Sequence, residues 1–313
     1  MERAPFHAAI ARGPEGGAAY WLRTPDGVRL RLGVWPAPER PKGTVFLLPG
    51  RTEYVEKYGP AAADLAARGY GMLAVDWRGQ GLADRLLDDP LKGHVTRFGD
   101  FQIDLAAVIA AATELDLPRP WFVLGHSMGG AIGLRVLMGA HPFAAAAFSA
   151  PMWAIGLPAP LQPLGPTIAR LLGGTDFALG YAPGTDAETY VFKAPFLDNK
   201  LTTDAGMWAF MVDQLAQVPE LALGGPTWHW VTEGILECLA LEALPSPDLP
   251  CFTAVGGLER IIHLPAVHAR MARWPKGRLE VEPGAQHELM MEGAVTRARF
   301  FDGCAATFDA VPR

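Results

Sequence analysis

Apolar residues along this chain follow two rhythms: short unbroken runs, and longer stretches in which they return every three or four positions. Unbroken runs cover residues 44–48, 71–75, 121–124, 144–148 and 251–255, with a more mixed one at 278–281. Runs of that kind predict strands buried on both faces. Phe98, Phe101, Leu105, Val108, Ala112 and Leu115 step by three or four, which predicts a helix with one buried face. Pro60 opens and Gly69 closes another helix over 61–67. Further helices are predicted over 131–138, 230–244 and 266–274, and a closing one carries Phe300, Phe301 and Phe308. Near the start, residues 18–23 and 28–35 flank the turn sequence Pro25-Asp26-Gly27, so an opening hairpin is expected. Strands alternating with helices at this spacing imply an α/β fold around a mostly parallel, doubly wound sheet.

From Pro151 to about Pro226 the rhythm breaks. Prolines crowd positions 158–166 and no strand pattern appears, yet apolar side chains persist, among them Met152, Trp153, Leu171, Leu172, Phe177, Tyr181, Trp208, Phe210 and Met211. Such a stretch either packs a small core of its own or forms a helical lid whose underside covers an apolar pocket. Its place above the presumed site favours the lid. The expected organisation is therefore a core of residues 1–150 and 228–313 interrupted by a lid insertion at 151–227. Met152, Trp153, Phe177, Trp208 and Met211 are its pocket candidates.

Composition narrows the picture. With 313 residues, half of them hydrophobic, the chain has ample material for one large core. A net charge of −6 without basic runs gives no support for nucleic-acid binding. Cys238, Cys251 and Cys304 are far apart and match no metal spacing, so they read as reduced and buried. No signal core or membrane-length apolar stretch is present, which predicts a soluble cytoplasmic protein able to touch a membrane surface briefly. The pattern does not specify an oligomeric state.

The chemistry gathers where strands end. Val123-Leu124-Gly125-His126-Ser127-Met128-Gly129-Gly130 places Gly-x-Ser-x-Gly between a strand and a helix, the context of a nucleophile elbow. A serine hydroxyl is a weak nucleophile until a base takes its proton, which makes Ser127 a candidate only if a histidine meets it. His287, in the loop after the last strand, is that candidate base. Glu259 ends a strand-to-loop step and is the candidate acid, whereas Asp248 precedes the strand and belongs to the other end of the sheet. The order Ser127, Glu259, His287 is that of the α/β-hydrolases. Loops at the C-terminal ends of parallel strands share one rim, so the three can meet. The amides of Met128 and Arg51 are the expected oxyanion donors. For the Arg51 side chain, solvation and contact with a phosphate-bearing substrate are equally compatible readings. His126 should brace the elbow and move no proton. His287-Glu288-Leu289-Met290-Met291 lacks the second histidine of a zinc-protease helix, and Gly79-Gln80-Gly81 lacks the third glycine of a dinucleotide loop. No metal and no cofactor are inferred.

With these residues in view, the chain resembles the monoacylglycerol lipase and lysophospholipase branch of the α/β-hydrolases, which also holds serine aminopeptidase-like proteins. The similar features are Gly50-x-x-Glu53, Asp76-x-Arg78-Gly79-x-Gly81, the elbow, Gly284-Ala285-x-His287-Glu288, and Asn199-Lys200-Leu201-Thr202-x-Asp204 followed by Gly224-Gly225-Pro226-Thr227. Pro49 stands where the family often has histidine, and Glu259 where it usually has aspartate. The resemblance implies an α/β-hydrolase fold with a helical lid and a serine ester hydrolase whose partner is a small-molecule monoacyl ester. An aminopeptidase or small-acyl esterase with the same triad, and a catalytically silent binding module, are the alternative readings.

Overall fold

The computed structural model describes residues 1–156 and 176–312. The strands are β1 (Arg3–Ala4), β2 (Ala18–Arg23), β3 (Arg29–Trp35), β4 (Gly43–Leu48), β5 (Tyr70–Asp76), β6 (Trp121–His126), β7 (Phe143–Ser149), β8 (Cys251–Gly256) and β9 (Gly277–Glu282). They form one sheet in the order β1-β2-β3-β5-β4-β6-β7-β8-β9. The first four in that order are antiparallel and the rest are parallel. The expected hairpin is β2–β3, turning at Gly27 with φ +90°. β1 was not expected, because two residues are too few to show a period.

The helices are α1 (Ala8–Ala11), α2 (Gly59–Ala66), α3 (Asp100–Glu114), α4 (Met128–Leu137), α5 (Tyr190–Lys193), α6 (Ala205–Gln217), α7 (Trp228–Glu242), α8 (Leu264–Ala272) and α9 (Ala294–Asp309). Every residue of β4, β5, β6 and β8 is buried, as their unbroken apolar runs require. Two apolar layers enclose the sheet. One joins Phe101, Leu105 and Val108 of α3, Ile132 of α4, Leu241 of α7 and Val267 of α8. The other joins Leu65 of α2 with Phe300, Phe301 and Phe308 of α9, and it takes in Phe210 and Met211 of α6.

Between β7 and β8 the strand–helix alternation stops, as the pattern predicts. The described part of this excursion is fastened to the core by polar groups. Gln214 of α6 donates to Ile10 O (2.8 Å) and Glu56 O (3.0 Å) and accepts from the Tyr54 hydroxyl (2.9 Å). That arrangement satisfies a buried amide almost completely. Leu171, Leu172 and the prolines at 158–166 lie outside the described residues, as does the side chain of Phe177. No described helix is long and apolar enough to cross a membrane.

Candidate active site

Ser127 joins β6 to α4 with φ +49° and ψ −118°, a conformation side-chain-bearing residues rarely adopt. Hydrogen bonds hold it there: Ser127 N donates to Ser149 O (3.1 Å), and Met152 N donates to Ser127 O (2.8 Å). The tight crossing explains the glycine at 129, where a Cβ would overlap the Leu48 carbonyl. Thr52 and Ala150, on adjoining loops, also have positive φ (67° and 41°), so strained backbone concentrates at this rim.

His287 follows β9, and its Nδ1 lies 2.6 Å from Glu259 Oε2. The other carboxylate oxygen, Oε1, accepts from Ile261 N (2.5 Å) and Ile262 N (3.2 Å), so the loop after β8 aims the acid at the imidazole. Burial opposes protonation of His287, but the charge and hydrogen bond of Glu259 outweigh it and raise the imidazole pKa above its ordinary value. Burial likewise opposes ionisation of Glu259, yet His287 and the two amides hold it below the glutamate range. Asp248 pairs with Lys276 (2.9 Å) ahead of β8, away from His287. Ser127 and His287 border the same cavity. No hydrogen bond joins the two side chains; such bonds commonly tighten only with substrate present.

The loop after β4 passes directly beside Ser127: a Cβ built on Gly50 would lie 3.0 Å from the Ser127 Cβ. Trp77 Nε1 donates to Pro49 O (3.0 Å), and Gln80 Nε2 donates to Gly50 O (2.8 Å) and Glu53 O (3.2 Å). Glu53 Oε2 accepts from Gly50 N and from the Tyr58 hydroxyl. Thus the Asp76-x-Arg78-Gly79-x-Gly81 loop, through Trp77 and Gln80, fixes the loop that carries Arg51. Among the described residues the Arg51 amide donates to no acceptor. Met128 opens α4, so its amide has no intrahelical acceptor either. The Arg51 and Met128 amides are therefore both left without a backbone acceptor among the described residues.

Behind them sits a buried charge cluster. Lys57 Nζ bridges Glu53 Oε1 (2.7 Å) and Glu288 Oε2 (2.5 Å). Burial disfavours the Glu53 anion, but Lys57, His126 and the Lys57 and Tyr58 hydrogen bonds lower its pKa to about 2. Burial raises the Glu288 pKa despite Lys57. His126 packs its ring 4.9 Å from that of His287, and its Nδ1 meets Ser149 O at 3.0 Å. Burial lowers its pKa to about 4, leaving it neutral near pH 7. Glu53, His126 and Glu288 present ligand atoms within 4.8 Å of one another, a grouping that could hold a metal, and the Lys57 ammonium already lies between the two carboxylates. The motif reading singled out Glu53 and Glu288 but gave them no role and missed Lys57. Its spacing of four from Glu53 was the available signal.

The cavity measures about 410 Å³, within the usual span of small-molecule sites. Met152 and Met211 line it, together with Leu201, Leu215, Trp230, Ile261 and Ile262. Trp153 and Trp208 do not. Trp153 donates to Gly130 O (3.1 Å) and stacks on Trp274 in the core, and Trp208 packs against Tyr190 and Phe196. Their aromatic bulk signalled burial, and the sequence does not distinguish a core wall from a pocket wall. The segment Asn199-Lys200-Leu201-Thr202-Thr203 wraps the His287 loop: Glu288 N donates to Leu201 O (2.8 Å), and the Thr202 hydroxyl to Met291 O (2.7 Å).

A profile of the family described as serine aminopeptidase, S33, matches residues 39–294. The chain belongs to this family. Lysophospholipase L2 of Escherichia coli (strain K12) is 34% identical to this S33 chain over 268 residues, covering 81% of it and 76% of the relative. The probable lysophospholipase L2 of Haemophilus influenzae is 28% identical, covering 79% and 78%. Among solved structures, a soluble variant of monoglyceride lipase from Saccharomyces cerevisiae matches with a TM-score of 0.72 at 19% identity, over 94% of this chain and 96% of that one. At that identity the likeness concerns the fold, and it is the α/β-hydrolase fold expected from the order of the motifs.

Proposed function

We propose that this S33 chain is a serine ester hydrolase that cleaves a monoacyl lipid ester, a lysophospholipid or a monoacylglycerol, through an acyl-enzyme. The observation that carries this reading is the 2.6 Å bond between His287 and Glu259 on the cavity that also exposes Ser127. In the proposed cycle, His287 Nε2 takes the Ser127 hydroxyl proton as Oγ attacks the ester carbonyl. The Arg51 and Met128 amides receive the developing oxyanion. His287 then gives that proton to the departing alcohol, and afterwards activates water to release the fatty acid. Glu259 orients the imidazole and stabilises it while charged. The apolar wall formed by Met152, Met211, Leu215 and Trp230 supports an acyl chain as its occupant. Residues 151–227 act in this reading as the lid over that chain, and brief contact with a lipid surface delivers the substrate. Three buried, unpaired cysteines support a reducing, cytoplasmic setting.

Ser127→Ala should remove labelling by a fluorophosphonate probe and lower kcat by about 10⁴-fold or more. Turnover retained by the purified variant would reject the proposal. The family's description also names an aminopeptidase, and a panel of proline amides beside long-chain monoacyl esters separates that reading from ours.

A further inference from the structure

We propose that the Arg51 guanidinium reads a phosphodiester in the substrate's head group, and so favours monoacyl phospholipids over neutral monoacylglycerols. The inference rests on the ester-hydrolase reading of the same cavity. Arg51 lines that cavity, as Ser127 does, and its own amide is one of the two donors proposed for the oxyanion. One residue would then hold both ends of the reacting group. The count of bonds from the Arg51 amide nitrogen to its guanidinium carbon equals that from the ester carbonyl carbon to phosphorus in a 1-acylglycerophospholipid. An extended side chain and an extended head group therefore span similar lengths.

The charge on Arg51 meets no opposite charge among the described side chains. Its guanidinium meets a carbonyl and an aromatic ring, and no carboxylate is among these contacts. The carboxylates that do line the cavity, Glu53 and Glu288, share Lys57. By contrast, Arg31, a fully buried arginine, lies 2.7 Å from both Glu56 and Asp76. Burial without a partner lowers the Arg51 pKa to about 10, which leaves it charged near pH 7 in surroundings that favour an incoming anion.

Its orientation is set by neutral groups. Nη1 donates to Gly224 O (2.9 Å), and the guanidinium carbon stands 5.7 Å from the centre of the Trp230 ring. Leu91 O and Gly93 brace that carbonyl's segment: Gly224 N donates to Leu91 O (2.8 Å) and Gly93 N to Gly225 O (2.9 Å). Of five guanidinium N–H donors, this leaves enough for a forked grip on two phosphate oxygens. Lys200, also on the cavity wall and without an ion-pair partner among the described residues, adds a second positive group. The Gly224-Gly225-Pro226 segment thereby gains a role as the rest on which the arginine is aimed.

The test compares wild type, Arg51→Gln and Arg51→Lys on a lysophospholipid and a monoacylglycerol of equal acyl length in the same neutral micelles. Arg51→Gln should lower kcat/KM for the lysophospholipid by about 10- to 100-fold more than for the monoacylglycerol, chiefly through KM, with Arg51→Lys in between. Equal losses on both substrates would overturn the assignment. Calorimetric binding of an uncleavable ether lysophospholipid and of the matching ether glycerol runs alongside, with thermal unfolding to verify that each variant is folded. If wild type cleaves neither ester, the ester-hydrolase reading fails. The Arg51 assignment then stands or falls on whether Arg51→Gln selectively weakens the phosphate-bearing ether.

Discussion

The two sides of the cavity are built with different chemistry. The core side is held by charges in a dry setting: Glu259 on His287, and Lys57 between Glu53 and Glu288. Among the described residues no buried ion pair joins the excursion to the core; bonds to backbone do, neutral ones such as Gln214 to Ile10 (2.8 Å) and Glu56 (3.0 Å) and charged ones such as Arg85 to Ala222 (3.2 Å). Interactions between charges are strong where water is excluded, and removing one partner strands the other. Neutral hydrogen bonds each contribute modestly. The core side therefore concentrates both reactivity and fragility in a few residues, whereas the excursion spreads its attachment over many.

That contrast can be broken by substitution. The largest effect is expected at Glu259→Gln, which keeps shape but removes the charge that orients His287. kcat should fall by about 10³- to 10⁴-fold. The pH profile should move as well. The working base is neutral imidazole, so wild-type kcat/KM rises with pH through a midpoint above the ordinary histidine value, because Glu259 raises it. In Glu259→Gln that support is gone, and the midpoint should drop; an unmoved midpoint would assign the base elsewhere. Next comes Lys57→Met, which leaves two buried carboxylates facing each other. Denaturant unfolding should show a loss of about 3–5 kcal/mol. A stability unchanged within error would mean that the carboxylates are not charged together in the native state. The smallest effect is expected for Gln214→Ala on the excursion, about 1–3 kcal/mol of stability with kcat on a short ester little altered. Should Gln214→Ala cost more turnover than Glu259→Gln, the two sides would have been ranked wrongly.

The strands, most helices and the three candidate triad positions could be read along the chain because each has a local signature. An apolar run marks burial on both faces, a step of three or four marks one face, and Gly-x-Ser-x-Gly marks a crossing too close for side chains. Glu259 could be preferred to Asp248 because parallel strands give the sheet one reactive rim, and only Glu259 follows its strand. Lys57 could be tied by spacing to Glu53 alone: its other partner, Glu288, is remote in sequence, and no period connects them. At Trp153 and Trp208 no local signal separates a cavity wall from a core wall. Hydrophobicity reports that a side chain leaves water but not which surface it leaves water against.

The linear order of residues therefore settled most of the longer core elements, which of their faces are buried and which loops carry reactive groups. Those depend on contacts between near neighbours and on the handedness of the chain. Folding in three dimensions settled the sheet order, the wrapping of residues 199–203 over the His287 loop, and the isolation of the Arg51 charge. These depend on which distant groups share a volume from which water is excluded. Electrostatic strength is set by that volume and by the partners within it, not by spacing along the chain.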